Sequence, residues 1–395
     1  MSYKATIKTP RCPPEPENPL AGTPYENQTE RIERLSGGYS AFTYRLYLKH
    51  QVTKAFLEPS PKTVIAKVFL PLLSGTVKLG LGPERMLYES EALEALGGKP
   101  QRYGRVSIDT SEFLFAQQNP GKSVLIMSDA GPLPTLKEWF SSDPCQNLDP
   151  DLRAELCRDI GRALAGYLKS LHEGCNVVGS PQALLKTRPL AAAKGTKGLL
   201  KFIYYDCLPE SCPDADPATL EVIRRAAAVG AREMVDLTDV LVHGDFGPRN
   251  MLIDASDTRH VKLRVIDWEL NHQGSASVDV GQCIAESLCI KTFCEPTCGN
   301  ILLSSFLEAY GITSSASTDT SKVDIVQVAR RVAAGILSLA HQPALGYVGQ
   351  GNRKEAEEDR MVEEVRAWAI ELLKCTQLED TSQAREVLLD SSLKQ

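Results

Sequence analysis

Two runs, Leu241-Val-His-Gly-Asp-Phe-Gly-Pro-Arg-Asn-Met-Leu-Ile253 and Val261-Lys-Leu-Arg-Val-Ile-Asp-Trp-Glu269, constrain this chain more than any other part of it. Residues 251–254 read as a short strand and 255–260 as a polar turn. Residues 261–266 alternate and then end in an apolar pair, as a half-buried strand does. An antiparallel hairpin brings its two outer ends to one edge. Asn250, just before the first strand, and Asp267, just after the second, are therefore expected side by side, although they stand seventeen positions apart. Asp245 lies five residues before Asn250, on the preceding loop. Asp245 can orient or deprotonate a hydroxyl. Asn250 and Asp267 can offer hard oxygens to a magnesium ion that keeps its waters and grips phosphate. Phosphoryl transfer needs little more near the acceptor than position and charge neutralisation. An ordinary surface loop also carries Asp and Asn, but not this spacing, hairpin and pair of apolar strands together.

The first third of the chain offers a grip for phosphates. Leu35-Ser-Gly-Gly-Tyr-Ser40 lies between strand-like runs at 33–35 and 42–48. Gly37 and Gly38 would let backbone amides, with Ser40, approach a phosphate; an ordinary hairpin turn fits the stretch equally well. It is not a Walker loop, since no Gly-Lys-Ser/Thr follows. Thr63-Val-Ile-Ala-Lys67-Val-Phe-Leu70 is a strand with one lysine at its middle. Such a lysine wants an anion, or lays its stem along an edge strand; its place after a glycine loop favours a phosphate. A helix is expected over 84–96, with Pro83 near its start. Glu89 falls within its stripe of Met86, Leu93 and Leu96, where a carboxylate needs a cation. Lys67 is the natural partner for Glu89, and Glu91 is the second choice.

His243-Gly-Asp245 with Asn250, followed by Ile266-Asp267-Trp-Glu269, resembles the catalytic signature of the aminoglycoside phosphotransferase family, which includes choline, homoserine and methylthioribose kinases. The resemblance implies an α+β, bilobal protein-kinase-like fold, with a small strand-rich N-lobe and a larger helical C-lobe. It implies ATP and Mg2+ as cofactors and a hydroxyl-bearing small molecule as acceptor. Asp245 would be the catalytic base, Asn250 would serve beside it, and His243 would brace the loop or simply pack. Asn250 and Asp267 would hold the metal. The Lys67–Glu89 pair would orient the phosphates of ATP. The end of the strand at 123–129 resembles the hinge between lobes, so that backbone groups near Met127, Ser128 and Asp129 would read the adenine edge. Asp279, in Gly274-Ser-Ala-Ser-Val-Asp279, would accept backbone amides of the catalytic loop. Arg34-Leu-Ser-Gly-Gly, Glu84-Arg-x2-Tyr-Glu89 and Asp267-Trp-Glu-Leu270 are most similar to the group of fungal 4-hydroxytryptamine kinases and methylthioribose-kinase-like enzymes. The chain departs from that group in its proline-rich N-terminal stretch and at His243.

At 395 residues the chain can build two lobes around a large core. A flexible tail is expected over 1–28, a nucleotide-binding lobe over 29–127, a catalytic and substrate lobe over 128–375 and a second tail over 376–395. A long amphipathic helix is read over 154–172, closed by His172 in a capping or packing role. In such kinases the insert over 178–216, which carries Tyr204 and Tyr205, helps shape the acceptor pocket; a plain surface loop would also sit there. Arg249 suits an acidic substrate or, better, a surface carboxylate. Glu269 is placed to meet a cationic amine, and Trp268 equally suits core packing. A net charge of −6, with no basic block, gives no electrostatic case for nucleic acid. No apolar run reaches membrane-spanning length, and the first twenty residues lack a secretory core, so no membrane partner and a cytoplasmic location are expected. A monomer or weak dimer is expected. Eleven cysteines, an odd number at spacings unsuited to zinc, read as free and mostly buried thiols. Two other classes fit less well. A silent nucleotide-binding scaffold would not need every catalytic position filled. A protein kinase would carry Phe-Gly after Asp267 and Ala-Pro-Glu downstream.

Overall fold

The structure is a computed structural model and describes residues 15–35, 41–50, 62–70, 82, 85–119, 121–174, 180–187, 194–313, 323–339, 355–378 and 381–389. The N-terminal lobe contains β1 (Thr29–Arg34), β2 (Phe42–Leu48), β3 (Thr63–Phe69), α1 (Arg85–Leu96), β4 (Gln101–Tyr103), β5 (Val106–Thr110), β6 (Phe113–Asn119) and β7 (Lys122–Ser128). Five of these strands form an antiparallel sheet in the order β1-β2-β3-β7-β6. Period-two alternation sets its faces. Phe42, Tyr44, Leu46 and Leu48 join Val64, Ala66 and Val68 in one buried cluster. Lys67, out of phase with them, lies on the opposite face and meets α1 there.

The expected tail over 1–28 is corrected from residue 15 onward. Leu20 and Tyr25 are buried in the same cluster as β2 and β3, and Glu15 accepts a hydrogen bond from Tyr44 Oη (2.9 Å). An apolar sheet face needs a cover, and these two side chains in a polar stretch supply it. Residues 1–14 lie outside the described residues.

The second lobe begins with α2 (Leu136–Phe140), α3 (Asp143–Gln146) and the long α4 (Pro150–Gly174). Leu156, Ile160, Leu164, Tyr167 and Leu171 form the buried side of α4. Gly161 lets α9 (Pro296–Tyr310) approach, since a Cβ there would lie 2.5 Å from the Leu302 carbonyl oxygen. Next come α5 (Pro181–Thr187), α6 (Lys194–Lys201), a π-helical turn over Phe202–Asp206, and α7 (Pro217–Asp236). Tyr204 and Tyr205 are buried, so the described part of this insert is packed structure and not a surface loop. The chain then runs through β8 (Val240–Val242), the hairpin β9 (Met251–Asp254) and β10 (Val261–Val265), β11 (His272–Gly274) and α8 (Ser277–Cys289). After α9 come α10 (Ile325–Leu339), α11 (Glu355–Gln377) and α12 (Thr381–Leu389). α12 buries Ala384 and Leu388, so part of the expected C-terminal tail is packed.

Two small sheets place the hairpin. β11 pairs antiparallel with β8, and β4, β5, β10 and β9 form a four-stranded sheet in that order. The β5–β10 pairing is parallel and sets Arg264 opposite Asp109, with their side chains 2.8 Å apart. Residues 101–110, read as part of the nucleotide lobe, thus back the hairpin of the second lobe. The described cysteines are free and mostly buried. Among the described residues no helix is long and apolar enough to cross a membrane.

Candidate active site

The hairpin forms in the expected register, with Met251 opposite Val265. Its open end is tied by a bond from the Ile266 amide to the Asn250 carbonyl (3.0 Å). Asn250 closes a short 3-10 turn over Pro248–Asn250. Its Nδ2 donates to both the carbonyl oxygen and Oδ2 of Asp245, each at 2.9 Å. Asp267 follows β10 with φ 68° and ψ 53°, and no other described non-glycine residue has a positive φ. A left-handed aspartate costs of order 1–3 kcal/mol and persists where its surroundings fix it.

One carboxylate and two histidines fasten the loop before the hairpin. Asp279, at the start of α8, is fully buried and accepts the amides of His243 (2.8 Å) and Gly244 (2.9 Å). His172, at the end of α4, donates from Nε2 to the same carboxylate (3.2 Å), with Tyr310 Oη 3.1 Å from its Nδ1. Burial pushes the Asp279 carboxyl up, but the bonds from His172 and His243 outweigh it and hold it below the usual range. His243 is itself buried. Its Nε2 donates to the Ile266 carbonyl (3.0 Å), and its Nδ1 accepts the Asp245 amide (3.2 Å). With both ring nitrogens engaged by backbone, His243 couples the loop to the strand before Asp267. Trp268 packs on it, with ring centroids 4.5 Å apart.

Arg249 has different partners from those expected. Its Nη2 donates to Asp245 Oδ1 (2.6 Å) and its Nε to Glu286 Oε1 (2.8 Å). Glu286 is fully buried on α8, so the partner is no surface carboxylate. Burial raises the Asp245 carboxyl above its usual range, with Arg249 opposing and Glu286 and Asp267 adding to the rise. The sequence reading missed Glu286 and the role of His172. A signal for Glu286 was present: Asp279 and Glu286 stand seven residues apart in an otherwise uncharged helix, hence on one face.

The N-terminal lobe reaches the same place through Lys67. Its Nζ lies 2.6 Å from Glu89 Oε2 and 2.5 Å from Asp267 Oδ1. Burial works against the Lys67 cation, but Asp267, Glu89 and Glu269 outweigh it and hold its pKa above the usual value. Glu89 is pushed up to about 7, by burial first and by its acidic neighbours, against the pull of Lys67. For Asp267, Lys67 overcomes burial and holds the carboxyl below its usual range. Glu269 does not face a substrate amine. It is buried and lies 3.6 Å from Arg85 of α1.

At the end of β7, where a hinge is expected, the Ser128 amide donates to the Glu112 carbonyl (2.9 Å). The irregular register of β6 between Phe113 and Phe115 accompanies this bond, and it removes Ser128 N–H as a donor for a base. Met127, on the interior strand β7, is paired with Ile65 and Phe113. The Asp129 carboxylate takes Arg45 Nε (2.7 Å) and the Gly131 amide (2.8 Å). Gly37, Gly38 and Ser40 lie outside the described residues.

The donor set suits a hard cation. Asn250 uses Nδ2 toward Asp245. Among the described residues no hydrogen bond reaches its Oδ1 or the second oxygen of Asp267, so an amide oxygen and a carboxylate oxygen remain for an ion. Glu89, Asp267 and Glu269 are the one group of three His, Cys, Asp or Glu residues among those described whose ligand atoms all lie within 4.8 Å of one another. Lys67 already lies against two of them.

Residues 135–317 match the model of the phosphotransferase enzyme family. The chain is 23% identical over 301 residues to a 4-hydroxytryptamine kinase of Psilocybe cubensis, covering 75% of this chain and 78% of that one. It is 23% identical over 297 residues to a 4-hydroxytryptamine kinase of Psilocybe cyanescens, covering 71% and 73%. Among solved structures it is similar to the GDP and kanamycin complex of an APH(2") enzyme, at 14% identity and TM-score 0.45, covering 90% of this chain and 97% of that one. The GDP complex of wild-type aminoglycoside 2'-phosphotransferase-IIIa gives 14% identity and TM-score 0.45, covering 86% and 93%. The family match spans the loop, the hairpin and α8, the elements that gather Asp245, Asn250, Asp267 and Asp279; over these residues the chain is similar to the phosphotransferase enzyme family, and it is a phosphotransferase with an alcohol group as acceptor.

Proposed function

We propose that the protein is an ATP-dependent small-molecule kinase that moves the γ-phosphate to a hydroxyl of a metabolite. Its acceptor is a hydroxylated amine, an amino alcohol, a sugar or a secondary metabolite. The observation that carries this reading is the meeting of Asp245, Asn250, Asp267 and Lys67 where the two lobes touch. Asp245 aligns the acceptor hydroxyl and takes its proton late in transfer, as the new O–P bond forms and the bond to the ADP oxygen breaks. Lys67, braced by Glu89, neutralises charge on the phosphates. Asn250 and Asp267 would hold magnesium, whose contribution is further neutralisation of the same phosphates. His243 and Asp279 keep the loop in place. The adenine edge is met at the end of β7, near Met127 and Asp129, and the phosphates by the loop of Gly37, Gly38 and Ser40. The cytoplasm, where ATP is abundant, is the proposed place of work, with a monomer or weak dimer as the working form.

The relatives named for 4-hydroxytryptamine make a hydroxylated aromatic amine the first acceptor to try. The test is ATP consumption with magnesium against hydroxylated amines, amino alcohols, sugars and aminoglycosides, with Asp245→Asn as control. Turnover lost in the control, with ATP binding kept, is the expected result. Loss of ATP binding and of fold in that variant would make Asp245 a structural acid. Phosphate found on protein instead of a small molecule would make the chain a protein kinase.

A further inference from the structure

We propose that Arg249 is a positioning residue of the transfer step, held by Glu286 and acting through Asp245; this rests on the kinase reading above. Both oxygens of the Asp245 carboxylate are engaged. Oδ1 accepts from Arg249 Nη2 at 2.6 Å, and Oδ2 accepts from Asn250 Nδ2 at 2.9 Å. Two donors from opposite sides fix the plane of the group. The lone pairs left over then define where an acceptor hydroxyl can approach.

Arg249 is itself held from below. Its Nε donates to Glu286 Oε1 (2.8 Å) and its backbone amide to Oε2 (3.2 Å). Gln282 Nε2 donates to Glu286 Oε1 (2.7 Å), and Arg331 Nη2 to Gln282 Oε1 (2.8 Å). Arg331 is buried and stacks over Tyr204, 3.4 Å from the ring centroid. An unbroken line of fixed polar groups thus runs from α10 to Asp245.

The fit between loop and helix is specific. Asp279 and Glu286 lie two turns apart on α8; the first takes the loop at His243 and Gly244, the second at Arg249. Gly247 lies between these holds, and a Cβ there would collide with the Glu286 carboxylate. A fully buried carboxylate is costly unless it is paired and hydrogen-bonded. Glu286 is a poor choice for stability alone and a good one for aiming a guanidinium. Lysine could not replace Arg249, because one ammonium lacks the planar fork that reaches both carboxylates at once. Lys67 and Glu89, on the nucleotide side, make no bond to Arg249.

The experiment measures Mg-ATP hydrolysis by water and phosphate transfer to 4-hydroxytryptamine in the full chain. The variants are Arg249→Ala, Arg249→Lys, Glu286→Gln and Asp245→Asn. Arg249→Ala is expected to lower kcat about 100-fold, as small misplacements of a catalytic group do. The KM for ATP should stay close to that of the parent, while the melting temperature falls, because Glu286 is left buried without its cation. Arg249→Lys should also be impaired and Glu286→Gln less so. Guanidinium ion in the buffer should restore part of the kcat of Arg249→Ala, which a purely structural role would not produce. Unchanged kcat in Arg249→Ala, with Asp245→Asn inactive, overturns the inference and leaves the kinase reading standing. So does a joint loss of kcat and ATP affinity without guanidinium rescue. Turnover kept by Asp245→Asn, or absent in the parent toward 4-hydroxytryptamine and toward every other acceptor of the panel above, overturns the kinase reading and the inference with it.

Discussion

Lys67 Nζ lies 2.5 Å from Oδ1 of Asp267, a residue two hundred positions further along the chain. Glu89 holds the lysine from the α1 side at 2.6 Å. One ammonium therefore joins the central sheet of the first lobe, its helix, and the residue after the hairpin of the second. Those carboxylates are what keep a buried lysine charged, and a charged lysine is what phosphates require.

Replacing Lys67 by Met is accordingly expected to lower kcat/KM for ATP about 100-fold or more, the size of loss seen when one fixed electrostatic donor is removed. Glu89→Gln should cause a smaller loss, because the lysine keeps its charge and its bond to Asp267. Steady-state kinetics at varied ATP test both. Unchanged kinetics in Lys67→Met would remove it from the phosphate site.

Asp279 lies on the other side of the loop, with no route to a substrate. Asp279→Asn keeps its shape but has a single carbonyl oxygen for the amides of His243 and Gly244 and for His172. All three donors lose a charged acceptor and at least one loses its acceptor altogether, for a cost of about 2–3 kcal/mol. Urea unfolding should show a lower midpoint at unchanged slope. An unchanged midpoint would mean that the loop is held by other contacts.

Gly244 combines two demands. Its φ is +89°, and a Cβ there would run into the Leu270 carbonyl. Alanine meets both a strained backbone and a collision with main chain, which a side-chain rotation cannot relieve. Gly244→Ala should destabilise by about 2–3 kcal/mol and lower kcat, because the displaced loop carries Asp245. Thermal melting and turnover measured together test this; a variant that melts and turns over like the parent would contradict the tight approach of Leu270.

Local pattern accounts for what the sequence disclosed. Alternation and a polar turn specify the hairpin, and the hairpin puts Asn250 and Asp267 at one edge. Glu89 shows itself as the acid inside an apolar helical stripe, and Lys67 as the cation inside an apolar strand. Features that depend on distant partners leave no such mark. The parallel pairing of β5 with β10 joins segments 155 residues apart at Asp109 and Arg264, and neither strand announces the other. His172 reads as a helix end, because its acceptor Asp279 lies 107 residues on. The Leu20 and Tyr25 cover is hidden by the polar residues around it. The left-handed Asp267 is a tertiary outcome, since many residue types follow strands without taking that conformation.

His272 gives the protein a pH dependence of known sign. The ring is fully buried on β11, and Nδ1 donates to the Leu270 carbonyl at 2.8 Å. Burial lowers its pKa to about 4; the Leu270 carbonyl and the charge of Asp279 oppose the shift, and Lys197 adds to it. The native state therefore keeps His272 neutral while the unfolded chain, with a pKa near 6.5, takes up a proton. Above pH ~6.5 neither state is protonated and stability is unaffected. As pH falls from there toward 4 the unfolded state gains the proton alone, so stability declines, by about 3 kcal/mol in all if the shift is fully expressed. Below that the native state binds the proton too and the loss levels off. His272→Gln keeps an amide donor and does not titrate, so its unfolding free energy should fall less than the parent's over this interval. Denaturant unfolding of the two proteins in steps between pH 7 and pH 4 makes the comparison, and parallel curves would show that His272 is protonated equally readily in both states.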